Sequence, residues 1–389
     1  MRIGFDVSQT GRSKAGCGYF ADGLIRALAA VDPGNEYVLY PAFGDLFWDP
    51  ECATATWRGE GPRFTSLAPP AGFEESRRFW RHPGPDFEAR IGGPDLVHSN
   101  NFFCPIGLER ARLVYTLHDL SFLEDPSWTT EANRVGCVEG MFRAATRADW
   151  MVANSEYTRR HFLAVFPHYP AERTEVVHPA SRFTGEGGVP RPERFRDLTP
   201  EGFWLSVGSI EPRKNQRRLA EAYAKARGAG AASLPLVLAG GAGWLMDDFA
   251  AFLRDLGVAQ EVILTGYVSD RELEWLYRNC FAFLYPSLFE GFGMPVLEAL
   301  SLGAPVICSR TTSLPEVAGE AALLMDPLET ESIAGAMRQM ACGEVSREAL
   351  RQAGYRQARR FRWEDSARKL LGVYERAANG PRCYSESNS

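Results

Sequence analysis

The sequence predicts an α/β protein built from two parallel-sheet domains, and three observations carry that prediction. Short apolar runs alternate with helix-length amphipathic segments, the pattern of strands joined by crossover helices. The alternation stops at Ser181–Thr199, where SRFTGEGGVPRPERFRDLT has Gly, Pro and charge but no periodicity, and then restarts. The chain has 389 residues, and at about 100–200 residues per domain that is room for two or three cores. Two α/β units of similar size imply a cleft between them, a favoured place for ligands.

In the first half the strand candidates are Arg2–Asp6, Glu36–Pro41, Phe64–Leu67, Leu96–Ser99, Leu113–Leu117, Trp150–Ala153 and Thr174–Val177. Helices are predicted at Tyr19–Ala30, Thr130–Arg147 and Glu156–Phe166. Ser181–Thr199 reads as the interdomain linker, so the first domain is expected over residues 1–185 and the second over 199–361. Beyond the linker the strands are Phe203–Val207, Leu236–Ala239, Val262–Thr265, Ala282–Tyr285, Pro305–Cys308 and Ala322–Met325. Helices follow at Gln216–Arg227, Leu245–Leu256, Asp270–Arg278, Pro295–Ser301 and Thr330–Met340, with two more near Arg347–Phe361 and Glu364–Arg376. The polar tail Asn379–Ser389 is expected to fray.

Composition excludes several classes. Hydrophobic residues make up 45% and charged ones 24%, the mix of a soluble globular protein. A net charge of -6 argues against general nucleic-acid binding, which needs a basic face. The opening MRIGFDVSQ reads as a buried strand, not a signal peptide, and no apolar run approaches the ~20 residues of a membrane span. The eight cysteines, Cys17, Cys52, Cys104, Cys137, Cys280, Cys308, Cys342 and Cys383, are scattered with no Cys-x-x-Cys. They read as reduced thiols of a cytoplasmic protein.

The most informative stretch is PSLFEGFGMPVLEAL, Pro286–Leu300. It sets Glu290 and Glu298 around a Gly-Phe-Gly turn. Pro295 suits the first turn of a helix, where its preset φ fits and its missing amide costs nothing. Helix-start amides attract anions, yet two carboxylates stand beside them. That combination suits a ligand with a phosphate for the amides and neutral hydroxyls for the carboxylates, as in a nucleotide sugar. The second half opens with WLSVGSIEPRKNQRRL, where Gly208 and Ser209 follow a strand and Arg213, Lys214 and Asn215 precede a helix. Arg offers a planar fork and Lys a point charge to a diphosphate; alone, the pair reads better as a solvated loop end, and its place after strand-Gly-Ser and opposite the Glu290–Glu298 element makes the diphosphate reading more specific.

Other motifs are weaker. SKAGCGYFADGL puts Gly16 and Gly18 between the first strand and helix, where they serve either a close backbone approach to phosphate or sugar, or a simple turn. LVYTLHDLSFL places His118 and Asp119 past a strand's carboxyl end, where ligands gather in open α/β sheets. His118 could donate to a sugar hydroxyl or move a proton, and Asp119 could orient it or meet the acceptor; the bland alternative is a pair that ties the loop down. His98 occupies a similar strand end and is not counted in the site. In GYVSDRELEWLY, Asp270 suits a helix cap, and the backbone around Tyr267 and Val268 could meet a nucleobase. ESRRFWRH, Glu75–His82, reads either as a membrane-surface patch or as a solvated helix face with two core anchors, and the acidic chain favours the second.

Together these residues resemble the family-4 retaining glycosyltransferases of the GT-B fold. The resemblance covers nearly the whole chain and is strongest from Trp204 to Asp326. The Glu290–Glu298 element is similar to that family's E-x7-E signature. The first half matches through the Gly16–Gly18 loop, the His118–Asp119 pair and VANSEYTRRHF. The resemblance implies two Rossmann-like domains facing across a deep cleft, with FRWEDSARKLL entering a last helix (362–378) that crosses back to the first domain. It implies that Arg213 and Lys214 hold the donor diphosphate, Glu298 accepts from ribose, Glu290 contacts the donor sugar, and the Phe292–Gly293–Met294 backbone touches sugar or phosphate. His118 would line the catalytic pocket. It further implies retention of configuration and no metal or other cofactor, and the chain has no Asp-x-Asp to hold one.

The layout around His118–Asp119–Leu120 looks most like bacterial mannosyl- and hexosyltransferases of surface polysaccharide. GDP-mannose is the first donor expectation and a UDP-hexose the second, with a glycan or lipid-linked acceptor read by loops such as Ala42–Gly61 and Phe102–Arg110. The expected setting is the cytoplasm, with peripheral contact at the inner membrane face. Two other classes stay open: a nucleotide-sugar epimerase on the same architecture, and a degenerate transferase that only binds a partner.

Overall fold

The computed structural model describes residues 1–8, 10–11, 14, 16–40, 59, 61–67, 73–185, 187–228 and 234–383. The expected acceptor loop Ala42–Gly61 therefore lies almost entirely outside the described residues. The chain divides into two units: Met1–Leu123, Ala132–Pro179 and Arg362–Ser389 form the first, and Glu124–Glu131 with Ala180–Phe361 form the second.

In the first unit seven parallel strands stand in the order β3-β2-β1-β4-β5-β6-β7. They are β1 (Arg2–Asp6), β2 (Glu36–Tyr40), β3 (Phe64–Ser66), β4 (Leu96–Ser99), β5 (Arg112–Leu117), β6 (Trp150–Ala153) and β7 (Thr174–Val176). The helices are α1 (Gly16–Val31), α2 (Phe73–Arg81), α3 (Phe87–Arg90), α4 (Ser121–Glu124), α5 (Glu131–Arg147) and α6 (Glu156–Val165). The inner strands of a parallel sheet are covered on both faces, so their burial does not alternate; all four residues of β4 are buried, including the polar His98 and Ser99. The chain's last helix, Trp363–Asn379, returns to this unit. Leu370, Val373 and Tyr374 are buried with Ile3, Phe5 and Leu24, and a Cβ on Gly23 of α1 would lie 2.3 Å from the Trp363 indole. Trp80 of α2 is buried at 1% exposure, so this aromatic of ESRRFWRH anchors the core and does not face a lipid surface.

In the second unit six parallel strands run β10-β9-β8-β11-β12-β13: β8 (Trp204–Val207), β9 (Leu236–Ala239), β10 (Val262–Gly266), β11 (Ala282–Tyr285), β12 (Val306–Ser309) and β13 (Ala322–Met325). Its helices are α7 (Gln216–Gly228), α8 (Phe249–Asp255), α9 (Asp270–Asn279), α10 (Met294–Ser301), α11 (Leu314–Ala318), α12 (Thr330–Ala341) and α13 (Arg347–Ala358), which makes Trp363–Asn379 α14.

Three expectations shift. The supposed linker Ser181–Thr199 belongs to the second unit, because Phe195 and Leu198 are buried in its core and Phe183 and Val189 pack against it. Missing periodicity marks irregular backbone, not absence of burial. Glu124–Glu131, inside the expected first domain, also belongs to the second unit: Trp244 Nε1 donates to the Trp128 carbonyl at 2.8 Å and the Trp128 ring lies 6.0 Å from Phe289. Gly16 and Gly18 are not in a loop but open α1, which starts three residues before the expected Tyr19.

Candidate active site

Each sheet reverses its strand order once, between β1 and β4 and between β8 and β11. In open α/β sheets ligands bind beyond the strand carboxyl ends at such switch points. Most of the expected site residues follow those four strands or β5 beside them.

In the second unit β8 leads through Gly208 and Ser209 into a single 3-10 turn, Pro212–Lys214. Asn215 closes that turn at φ 63°, a left-handed conformation that Asn tolerates. Its amide donates to the carbonyls of Pro286 (3.0 Å) and Pro327 (2.7 Å). Leu288 N donates to the Arg213 carbonyl at 2.9 Å, so the cationic turn and the loop after β11 are stitched together. Lys214 Nζ lies 2.7 Å from Glu290 Oε1 and donates to the Tyr285 hydroxyl at 2.8 Å. Tyr285 and Ser287 hydroxyls donate to the same carboxylate oxygen at 2.9 and 2.6 Å. Arg213 Nη1 is 3.3 Å from Glu290 Oε2, and Nη2 is 2.9 Å from Glu211. Burial pushes the Glu290 carboxyl up, but Lys214 and then Arg213 more than reverse this and hold it at about 2. Glu290 is thus a fixed anion that aims two cations, not a proton donor.

Glu290 is followed by Gly293, at φ 98°, whose Cβ would lie 2.4 Å from Leu314 Cδ2. Only glycine satisfies both demands, and it lets α10 start with Pro295 in its first turn. The Ser313 hydroxyl bonds the carbonyls of Glu290 and Phe292, both at 2.9 Å, bracing the turn from behind. Glu298, on α10, is only 3% exposed. Arg182 Nε stands 2.9 Å from it and the Tyr277 hydroxyl donates at 3.3 Å; burial, only partly offset by Arg182, pushes its carboxyl up to about 7. Arg182 also reaches Asp270 at 3.1 Å. Ser269, not the expected Asp270, caps α9, through a capping box with Glu272. Tyr267 is 66% exposed and Val268 is buried in the core.

In the first unit His118 follows β5 and is buried at 7% exposure. The rings of Phe20 on α1 and Phe102 hold its imidazole at 5.6 and 5.9 Å. Its Nε2 bonds the Asn100 carbonyl at 2.6 Å, and burial lowers its pKa, so the ring is neutral. Asp119 does not orient it: that carboxylate accepts from Ser121 N (3.0 Å) and Oγ (2.7 Å), opening α4. Beneath His118, Asp6 accepts from Ser8, from Asn100 N at 3.2 Å and from Asn101 Nδ2 at 2.7 Å. Burial raises its carboxyl to about 7.

The family model for glycosyl transferases group 1 matches residues 193–357, and that for Glycosyltransferase Family 4 matches 16–180. O-antigen chain mannosyltransferase B of Escherichia coli is 34% identical over 287 residues, 72% of this chain and 74% of that protein. The chain is a family-4 glycosyltransferase. Among solved structures, sucrose-phosphate synthase from Thermosynechococcus elongatus superposes with TM-score 0.71 over 97% of this chain and 98% of its own, at 18% identity. Anabaena Alr3699/HepE in complex with UDP-glucose gives TM-score 0.68 over 96% and 99%, also at 18% identity. These likenesses establish the GT-B fold.

In this glycosyltransferase the structure brings Arg213, Lys214 and Glu290 into one cluster, whereas the sequence reading gave the cations and the carboxylate separate tasks. Ser209 is exposed nearby, and its carbonyl accepts from Gln216 at 2.8 Å. Glu298 is not in that cluster; its partners are Arg182 and Tyr277. Gly16, Gly18, His118 and Asp119 belong to the first unit. Sequence reasoning missed Arg182, Tyr277 and Asn100, whose partners lie far along the chain or on the backbone, and Glu211, whose partner Arg213 is only two residues away. Tyr285 and Ser287, within five residues of Glu290, had a local signal as hydroxyls flanking a loop carboxylate. Among the described residues no group of three or more His, Cys, Asp or Glu is placed to hold a metal ion, and no helix is long and apolar enough to cross a membrane.

Proposed function

We propose that this glycosyltransferase moves a hexose, mannose by preference, from a nucleoside-diphosphate sugar to a glycan or lipid-linked acceptor in surface-polysaccharide synthesis, with retention of configuration. The observation that carries the reading is the Arg213–Lys214–Glu290 cluster at the β8/β11 switch point. Cleavage of the glycosidic bond builds negative charge on the departing diphosphate. Lys214 and Arg213, already aimed by Glu290 and Glu211, stand ready for that charge without reorganising, which is the source of electrostatic preorganisation. The same two cations supply the charge stabilisation that a divalent ion supplies elsewhere, so we propose a metal-independent reaction. The O-antigen relative supports mannose and a surface-polysaccharide acceptor, and GDP is the nucleotide of the proposed donor. Glu298, with Arg182 beside it, is the proposed acceptor for ribose hydroxyls, and His118 the proposed partner of a donor-sugar hydroxyl.

The test is incubation with GDP-mannose, UDP-glucose and UDP-galactose, with and without lipid-linked glycan, following nucleotide release and product anomer. GDP-mannose turnover that needs acceptor is expected. Turnover of no donor sinks the reading, and donor conversion without acceptor points to an epimerase.

A further inference from the structure

Beneath His118 lies a run of buried polar groups that the proposed chemistry leaves unused. Tyr374 on α14, His98 on β4, Thr116 on β5 and Asn100 after β4 are each 2% exposed or less. The Tyr374 hydroxyl is 2.6 Å from His98 Nδ1, and His98 Nε2 is 2.9 Å from Thr116 Oγ1. Thr116 Oγ1 is 3.1 Å from Asn100 Oδ1, and Asn100 Nδ2 is 3.0 Å from the Asp6 carbonyl.

The donor and acceptor inventory leaves one direction for this chain. The Asp6 carbonyl only accepts, so the Asn100 NH2 group faces it and Oδ1 faces Thr116. Thr116 therefore spends its one proton on Asn100 and must accept from His98 Nε2–H. The neutral His98 ring then has its lone pair on Nδ1, and Tyr374 donates to it. At the other end the Asn100 backbone carbonyl, likewise an acceptor only, takes the proton on His118 Nε2. Burial keeps both imidazoles uncharged, with His98 lowered to about 3.

We propose that the Tyr374–His98–Thr116–Asn100 chain is a positioning relay. It holds the Asn100 peptide in place, and the Asn100 carbonyl fixes His118 as the Nε2–H tautomer, so that His118 meets the donor sugar through Nδ1 as a hydrogen-bond acceptor. A hydroxyl of the sugar donates to it. His118 is then neither the acid that protonates a leaving group nor a donor to the sugar. Tyr374 and Thr116 touch no substrate; they act through the set of the Asn100 peptide, which ties α14 to the site. This rests on the reading of His118 as a donor-sugar contact.

The experiment uses full-length enzyme labelled with 15N at histidine, of which the chain has six. Long-range 1H–15N spectra, assigned with His98→Gln and His118→Gln, read the tautomers directly. Both rings are expected as neutral Nε2–H forms. A proton on Nδ1 of either ring overturns the relay, whatever the activity shows. In kinetics, Tyr374→Phe is expected to lower kcat about fivefold and Thr116→Val, which breaks the chain at its centre, about tenfold or more, from one and two lost net hydrogen bonds. Donor-nucleotide Kd in Tyr374→Phe is expected to stay near wild type, while the thermal midpoint falls because buried His98 Nδ1 loses its donor. Wild-type kcat in both variants overturns the positioning role. Full turnover in His118→Ala instead removes the donor-sugar contact, while the tautomers still report on the relay.

Discussion

At the β8/β11 switch point a buried carboxylate, Glu290, meets two cations and lies at about 2; at β1/β4 an equally buried one, Asp6, takes its hydrogen bonds from Ser8, Asn100 and Asn101 and lies at about 7. The backbone plan is the same in both places: parallel strands, one reversal, and loops beyond the carboxyl ends. What differs is the side-chain company. Neutral donors only soften the cost of burying a charge, whereas Lys214 and Arg213 reverse it. One half of the molecule thus presents an ordered, charged cluster suited to a diphosphate. The other presents neutral, directionally hydrogen-bonded groups suited to sugar hydroxyls. A shared topology supplies two chemically different platforms, to which the proposed reading gives different parts of the donor.

The strongest test of that division removes its central charge. Lys214→Ala is expected to lower turnover by about 10²–10³, the loss typical of one preorganised stabilising group, while far-UV circular dichroism stays unchanged. Near-normal turnover would erase the distinction between the two platforms. Arg182→Ala comes next and acts on stability. It leaves Glu298 buried without its cation, and because that carboxyl already lies at about 7 it takes up a proton near neutral pH, so the loss is about 1 kcal/mol there and grows as pH rises, read as a lower urea midpoint.

The pH profiles sharpen the comparison further because the two carboxylates carry opposite signs. Asp6 is raised from 3.8 to about 7 on folding, so the folded protein holds an extra proton in between and stability falls as pH rises through that window. Glu290 is lowered from 4.5 to about 2, so its contribution is present above 4.5 and lost as pH falls towards 2. Asp6→Asn should reduce the first slope, leaving the share of Glu298, which is raised in the same window, and Glu290→Gln should flatten the second, measured by urea unfolding across pH 2–8. Exchanged or absent effects would mean that the two environments do not differ as described. The smallest contrast lies in the helix caps. Ser155 caps α6 alone, and Ser269 caps α9 in a reciprocal box with Glu272. Each Ser→Ala change is expected to cost about 1 kcal/mol, slightly more at Ser269.

Much of this was legible in the chain. The strands Leu236–Ala239 and Ala282–Tyr285 are where their apolar runs place them, because strands covered on both faces favour apolar residues at every position; Ala322–Met325 is also found, although it is an edge strand and only partly buried. Pro295 and Gly293 announced the helix start by backbone restrictions that act within a few residues. Ser181–Thr199 misled, because composition reports backbone irregularity and not whether Phe195 finds a core. Asp270 misled as a cap because its neighbour Ser269 could bond Glu272 as well, a choice between adjacent residues that spacing leaves open. As an orienter of His118, Asp119 misled, because adjacency in sequence puts successive side chains in different surroundings.

The sequence by itself determined the alternation of strands and helices, the Gly-Pro turn ahead of α10, and the residue types that a nucleotide sugar would require. These depend on local steric rules and on periodicity, which short stretches carry whole. Only the tertiary structure decided that Lys214 and Arg213 close on Glu290, that Arg182 answers Glu298 across 116 residues, and that Asn100 and not Asp119 sets His118. Those pairings depend on distance and desolvation. Burial multiplies the strength of each contact and sets its pKa, and burial belongs to the packed fold, not to any segment of the chain.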